Sequence, residues 1–150
     1  LDVAYVPIGL GSGACAAVAA KRALGHAVRL VGVVSRHAPT YALSLAAGRV
    51  VEAPVTTRLA DGMAVRRADA QALAALARGL DHMVQVSDDE VAAAMRAIYT
   101  DTHNVAEGAG AAALAAALQE RPTLRGRCVG VALTGANVDA DAFAETLSKK

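Results

Sequence analysis

VAYVPIGLGSGACAAVAAKRALGHAVRLVGVV, residues 3–34, decides the fold. Val3 to Ile8 is a short apolar run that ends in a glycine cluster, which predicts a buried strand. Gly9-Leu10-Gly11-Ser12-Gly13 follows as a loop, and Ala14 to Leu24 is a helix of small residues closed by Gly25. Val28 to Val34 is a second apolar strand, interrupted by Arg29 and Gly32. Strand, loop, helix and strand in this order make the crossover unit of a parallel sheet.

The same alternation continues outward. Helices are expected from Pro39 to about Ala47, from Thr57 to Val65, and from Asp69 to Leu80. Val50 to Ala53 and His82 to Val86 are expected to be strands. Ser87 with Glu90 three residues later forms a capping box, opening a helix to about Thr100. Val105 to Gln119 is a helix of mostly Ala and Gly, Cys128 to Leu133 a strand, and Ala140 to Leu147 a final helix. No internal repeat or linker divides the chain. The expectation is one α/β domain over residues 1–150: doubly wound, with a mostly parallel sheet and helices on both faces.

Composition agrees with a packed domain and excludes several functions. Of 150 residues, 55% are hydrophobic and 19% charged, too apolar for disorder. The apolar runs are too short and too interrupted to span a bilayer, so no membrane role is expected. A net charge of +1 and only three Tyr and one Phe give neither the field nor the stacking platforms for nucleic acid. Alanine contributes 38 residues, which favours helices and close approach of helix to sheet. The basic residues are twelve Arg and only three Lys: Lys21, Lys149 and Lys150. Cys15 and Cys128, far apart in apolar surroundings, are expected to be buried free thiols in a reducing, cytoplasmic setting.

The glycine loop is the first candidate site. Glycines let several N–H groups converge, and the helix that follows adds its positive end. The residues alone leave the ligand open between a phosphate group and a dinucleotide. Gly9 to Ala14 also fits G-x-G-x-x-A, and Arg36 after the second strand would suit the 2′-phosphate of NADP.

Five segments in order resemble one family. Pro7 to Gly13 looks like the phosphate loop of serine and threonine dehydratases, pyridoxal-phosphate enzymes of the tryptophan-synthase-β fold type (fold type II). Gly32-Val33-Val34 matches the strand end that follows. Leu59 to Val65 is similar to T-I-A-D-G-x-A-V, Glu107 to Ala111 to E-P/G-A-G-A, and Leu133 to Asp139 to L-S-G-G-N-V-D. The resemblance implies pyridoxal 5′-phosphate as cofactor. Backbone N–H groups of Gly9, Leu10, Gly11, Ser12 and Gly13 would hold its phosphate. Thr134 would meet the pyridine nitrogen, and Glu107 would lie near the ring. The implied reaction is β-elimination on L-threonine, L-serine or a related β-hydroxy amino acid, releasing ammonia and a 2-oxo acid.

Departures from the pattern are equally specific. Leu10 and Ser12 replace two of the family's glycines. Val34 and Thr40 stand where some members carry carboxylates for a divalent cation, so no metal site is expected. His37, His82 and His103 show no metal-ligand spacing either. Nothing matches the family's S-x-K-x-R-x-A segment with the Schiff-base lysine, and none of the three lysines suits that role. No catalytic residue is therefore expected in this chain, which resembles the C-terminal part of the large domain and should be inactive alone. It would act as a homo-oligomer or associate with the N-terminal half. The alternatives are an NADP-binding Rossmann domain of an oxidoreductase and a non-catalytic binding domain.

Overall fold

In the computed structural model, residues 1–148 are described. Four strands form one all-parallel sheet: β1 (Val3–Pro7), β2 (Arg29–Ser35), β3 (His82–Val86) and β4 (Val129–Val131). Their order is β3-β2-β1-β4. The six α-helices are α1 (Ser12–Ala23), α2 (Thr40–Ala47), α3 (Ala70–Gly79), α4 (Asp88–Thr102), α5 (Gly108–Gln119) and α6 (Ala140–Ser148). The chain moves from β1 through β2 to β3 in one direction, then returns past β1 to β4. Crossovers of one hand therefore put α1, α2 and α3 on one face and α4 and α5 on the other. The expected doubly wound α/β architecture is the one observed. Among the described residues no helix is long and apolar enough to cross a membrane.

The core follows from this layering. In β2 every residue from Leu30 to Ser35 is buried, as expected for a strand covered on both faces. Gly32 leaves room for its neighbours, since a β-carbon there would come within 2.7 Å of Ile8 Cδ1 and 2.8 Å of Leu80 Cδ1. Helix α5 lies closest to the sheet and is buried along most of its length, and Ala111, Ala112, Ala113 and Ala116 are fully enclosed. The Ser87–Glu90 capping box forms as expected, with the Glu90 N–H donating to Ser87 Oγ and the Ser87 N–H to Glu90 Oε2 at 2.7 Å.

Four expectations are corrected. Val50–Ala53 is not a strand, only a single antiparallel bridge between Glu52 and Arg67. The Ser44 hydroxyl takes the Val51 N–H at 3.0 Å, and Pro54 ends the run. Thr57–Val65 is not an α-helix but an extended segment with one 3₁₀ turn at Asp61–Met63. Asp88 captures the Thr57 hydroxyl at 2.7 Å and the Arg58 N–H at 2.8 Å, holding the backbone away from helical pairing. The helix expected from Val105 begins at Gly108, with Glu107 as its cap, because His103 ends α4 in the left-handed region (φ 56) and the chain then runs extended. Cys15 is half-buried and Cys128 is exposed, because Cys128 leads into the edge strand β4. Both thiols are free.

A polar cluster pins the end of α5 to the sheet. The Tyr5 hydroxyl donates to Glu120 Oε2 at 2.5 Å. His82 bridges Glu120 Oε1 at 2.8 Å and Asp81 Oδ2 at 3.0 Å. Burial alone lowers the His82 pKa, but its hydrogen bonds to the Asp81 and Glu120 carboxylates and their charges raise it above 6.5 overall. Stability from this pairing is thus complete below pH 6.5 and is lost as pH rises through the higher native value. His82→Gln should remove that component, so the variant's melting temperature should depend less on pH between pH 6 and 8.5 than the parent's. In α5, Ala112→Leu should cost about 1–3 kcal/mol in denaturant titration, because Ala112 is fully enclosed and the larger side chain would overpack the helix–sheet contact.

Candidate functional site

The reversal of winding between β1 and β4 opens a crevice at their carboxyl ends, where open α/β sheets bind ligands. The loops that follow β1 and β4 flank it. Helix α1 points its N-terminus there. Cys15 N–H makes the first helical bond, to the Gly11 carbonyl at 2.8 Å. Among the described residues, no backbone acceptor takes the N–H groups of Gly11, Ser12, Gly13 or Ala14. Free N–H groups at a helix start, with the positive end of its dipole, fit an anion.

The loop residues play different parts. Gly9 is the close-approach position, because a β-carbon on it would collide with the Gly62 carbonyl oxygen. Gly11 is buried with φ +99, a backbone state that favours glycine. Leu10 points its side chain outward, 69% exposed, so it leaves the cradle clear. Ser12 and Gly13 are exposed, and a β-carbon on Gly13 would face open space.

Glu107 ties this loop to the one after β4. Its N–H donates to the Gly135 carbonyl at 3.1 Å, and its Oε2 accepts the Asn137 N–H at 3.1 Å. Gly135 sits so close that a β-carbon there would stand 2.5 Å from Glu107 Oε1. A β-carbon on Gly62 would lie 3.6 Å from the same oxygen and 3.0 Å from Ala109 Cβ. Gly9, Gly62, Glu107 and Gly135 therefore meet in series across the crevice. Thr134 precedes Gly135 with an exposed side chain. Beside Glu107, a cleft of about 400 Å³ is lined by Arg58, Asp61, Gly62 and Asn137 among others.

Other residues singled out in the sequence lie elsewhere. Lys21 is in the last turn of α1, about 14 Å along the axis from Ser12 at the ordinary helical rise. Lys149 and Lys150 lie outside the described residues. Arg36 leans toward Glu90 at 3.9 Å. Val34 is buried in β2, and the Thr40 hydroxyl is spent on the Val65 carbonyl at 2.6 Å. Sequence reasoning missed two contributors. Gly62 was visible within the A-D-G segment but carried no role. Tyr41, whose hydroxyl donates to the Leu10 carbonyl at 2.6 Å, gave no signal in its own stretch of sequence.

Comparison with known proteins gives the chain's family. A family model described as pyridoxal-phosphate dependent enzyme matches residues 1–135. The chain is 42% identical over 142 residues to an L-threonine ammonia-lyase of Geobacter sulfurreducens, covering 92% of this chain and 35% of that protein. A threonine deaminase of T.th. superposes with a TM-score of 0.84 at 30% identity, over 91% of this chain and 46% of that one. The processed form of threonine deaminase isoform 2 from Solanum lycopersicum gives a TM-score of 0.91 at 25% identity, over 100% of this chain and 45% of that one. The chain thus spans about a third to a half of the length of these relatives. The matched family is a pyridoxal-phosphate one, and the dinucleotide reading of the loop is set aside.

Gly135→Ala should cost about 1–3 kcal/mol, since Glu107 must move to admit the methyl group. Faster hydrogen exchange at the Asn137 amide should accompany the loss, because that N–H would lose its acceptor.

Proposed function

Because this chain belongs to the pyridoxal-phosphate-dependent enzyme family, we propose that it anchors the cofactor in an ammonia-lyase acting on L-threonine, L-serine or a related β-hydroxy amino acid. The products are a 2-oxo acid and ammonia. The observation that carries this reading is the meeting of the α1 N-terminus with Glu107 and Gly135 at one crevice.

The residues present fit the cofactor's phosphate and ring-nitrogen ends. Backbone N–H groups of the Gly9–Gly13 loop would serve the phosphate: Gly9 packs against the Gly62 carbonyl and Gly11 against Tyr41 and Ala72, while among the described residues no backbone acceptor takes the N–H groups of Gly11, Ser12 or Gly13. Thr134 would offer a hydroxyl to the pyridine nitrogen, and Glu107 would lie near the ring. When bound, pyridoxal phosphate supplies the electron sink for bond cleavage at the substrate's α-carbon. A neutral hydroxyl does not hold a proton on the ring nitrogen as a carboxylate would. That tempers the sink and suits loss of a β-hydroxyl. Lys21 lies in the last turn of α1, away from the crevice, and the reading takes the amine that would complete the chemistry from outside the described residues. We read residues 1–150 as the C-terminal portion of the large catalytic domain.

The open edge of β4, with Val131 and Leu133 more than two-fifths exposed, supports association with the rest of the protein or with a second copy. Two free thiols fit a cytoplasmic enzyme.

Ser12→Asp tests the site with opposite signs for folding and binding. A carboxylate at the start of α1 should stabilise the helix by about 0.3–1 kcal/mol. In the intact protein the same charge should weaken pyridoxal-phosphate binding at least about tenfold through like-charge repulsion. Unchanged affinity would remove the loop from the site. Ammonia release from L-threonine or L-serine by the intact protein tests the reaction. Oxidation of a substrate with NADP, without ammonia release, would overturn it.

A further inference from the structure

One buried side chain holds the glycine loop from beneath. Tyr41, in the first turn of α2, is 1% exposed. Its hydroxyl donates to the Leu10 carbonyl at 2.6 Å and accepts the Asp69 N–H at 3.2 Å. Asp69 in turn caps α3, its carboxylate accepting the Ala72 N–H at 2.8 Å. A β-carbon on Gly11 would stand 3.1 Å from the Tyr41 hydroxyl and 3.0 Å from Ala72 Cβ. The loop, α2 and α3 therefore meet at a single phenol. Burial raises its pKa, the Asp69 N–H hydrogen bond opposes that, and the Asp69 charge adds to the rise, so it remains a neutral donor.

The consequence lies in the peptide between Leu10 and Gly11. That peptide is trans, so its C=O and N–H point in opposite directions. Tyr41 fixes the carbonyl inward, which turns the Gly11 N–H outward, where among the described residues no backbone acceptor takes it. The same orientation goes with φ +99 at Gly11, a state most other residues avoid. With the peptide rotated by half a turn, the loop would present a carbonyl oxygen in place of that N–H and repel an anion.

We propose that Tyr41 is a positioning residue that sets the Leu10–Gly11 peptide for phosphate, and so gives the site its preference for phosphorylated over phosphate-free pyridoxal. The inference rests on the reading of the loop as the phosphate site. Tyr41→Phe keeps the ring and removes only the hydroxyl. In the intact protein, dissociation constants for pyridoxal phosphate and for phosphate-free pyridoxal are measured side by side, with ³¹P NMR of the bound phosphate. The expected result is an affinity for pyridoxal phosphate about tenfold weaker, an unchanged affinity for pyridoxal, and a shifted ³¹P resonance. Thr40→Val is the comparison. It deletes another buried hydrogen bond of α2, to the Val65 carbonyl, without touching the loop. It should lower the melting temperature and leave the ratio of the two affinities alone. If Tyr41→Phe preserves that ratio, or if Thr40→Val changes it equally, Tyr41 merely packs and the inference is overturned. If the parent protein shows no preference for the phosphorylated form, the phosphate-loop reading itself fails, and the inference with it.

Discussion

Backbone stands where side chains would otherwise be along the first turn of α5. A β-carbon on Gly108 would collide with the Leu59 carbonyl oxygen, and one on Gly110 with the Gly135 carbonyl oxygen. This close approach draws two remote loops onto the start of a single helix. Gly62, a few residues after Leu59, then lies against Gly9, and Glu107 at the head of α5 lies against Gly135. The crevice exists because nothing larger than hydrogen occupies these positions. The alanines further along α5 extend the same logic, letting the helix settle directly on the sheet.

The electrostatics of the crevice follow from the topology. With β4 returning to the far side of β1, the end of β1 faces an edge without a crossover packed over it, and the α1 N-terminus opens onto that space. Backbone N–H groups and a helix dipole then supply positive potential without a cationic side chain. Among the described residues the lysine, Lys21, sits in the last turn of α1, so the potential at the α1 N-terminus comes from backbone. Glu107 holds its carboxylate against Gly135 and accepts the Asn137 N–H, which steadies the loop that carries Thr134.

Legibility in the sequence tracked the range of the interactions concerned. The strand, glycine loop and helix from Val3 to Ala23 were readable because apolar run, glycine cluster and small-residue helix are local signals. The Ser87–Glu90 capping box was readable for the same reason. The segment from Thr57 to Val65 was misjudged because Asp88, thirty residues away, takes the Arg58 N–H. Val50 to Ala53 was misjudged because Ser44 satisfies Val51 in place of a neighbouring strand. Cys128 was misjudged because its exposure depends on β4 lying at the sheet edge.

By itself the sequence determined the parallel α/β layering, the place of the glycine loop after the first strand, and the motifs that single out Gly9 to Gly13, Glu107 and Thr134. These depend on periodicity, on glycine's freedom to turn, and on short motifs. Only the tertiary structure decided which of them meet. Gly9 reaches Glu107 through Gly62, Glu107 reaches the Thr134 loop through Gly135, and the loop's peptide orientation is set by Tyr41 from a different helix. Each is a contact between residues far apart in the chain, made possible by the missing side chain of a glycine or the length of a phenol. Such contacts leave no periodic trace, because the space they fill is created only when the layers pack.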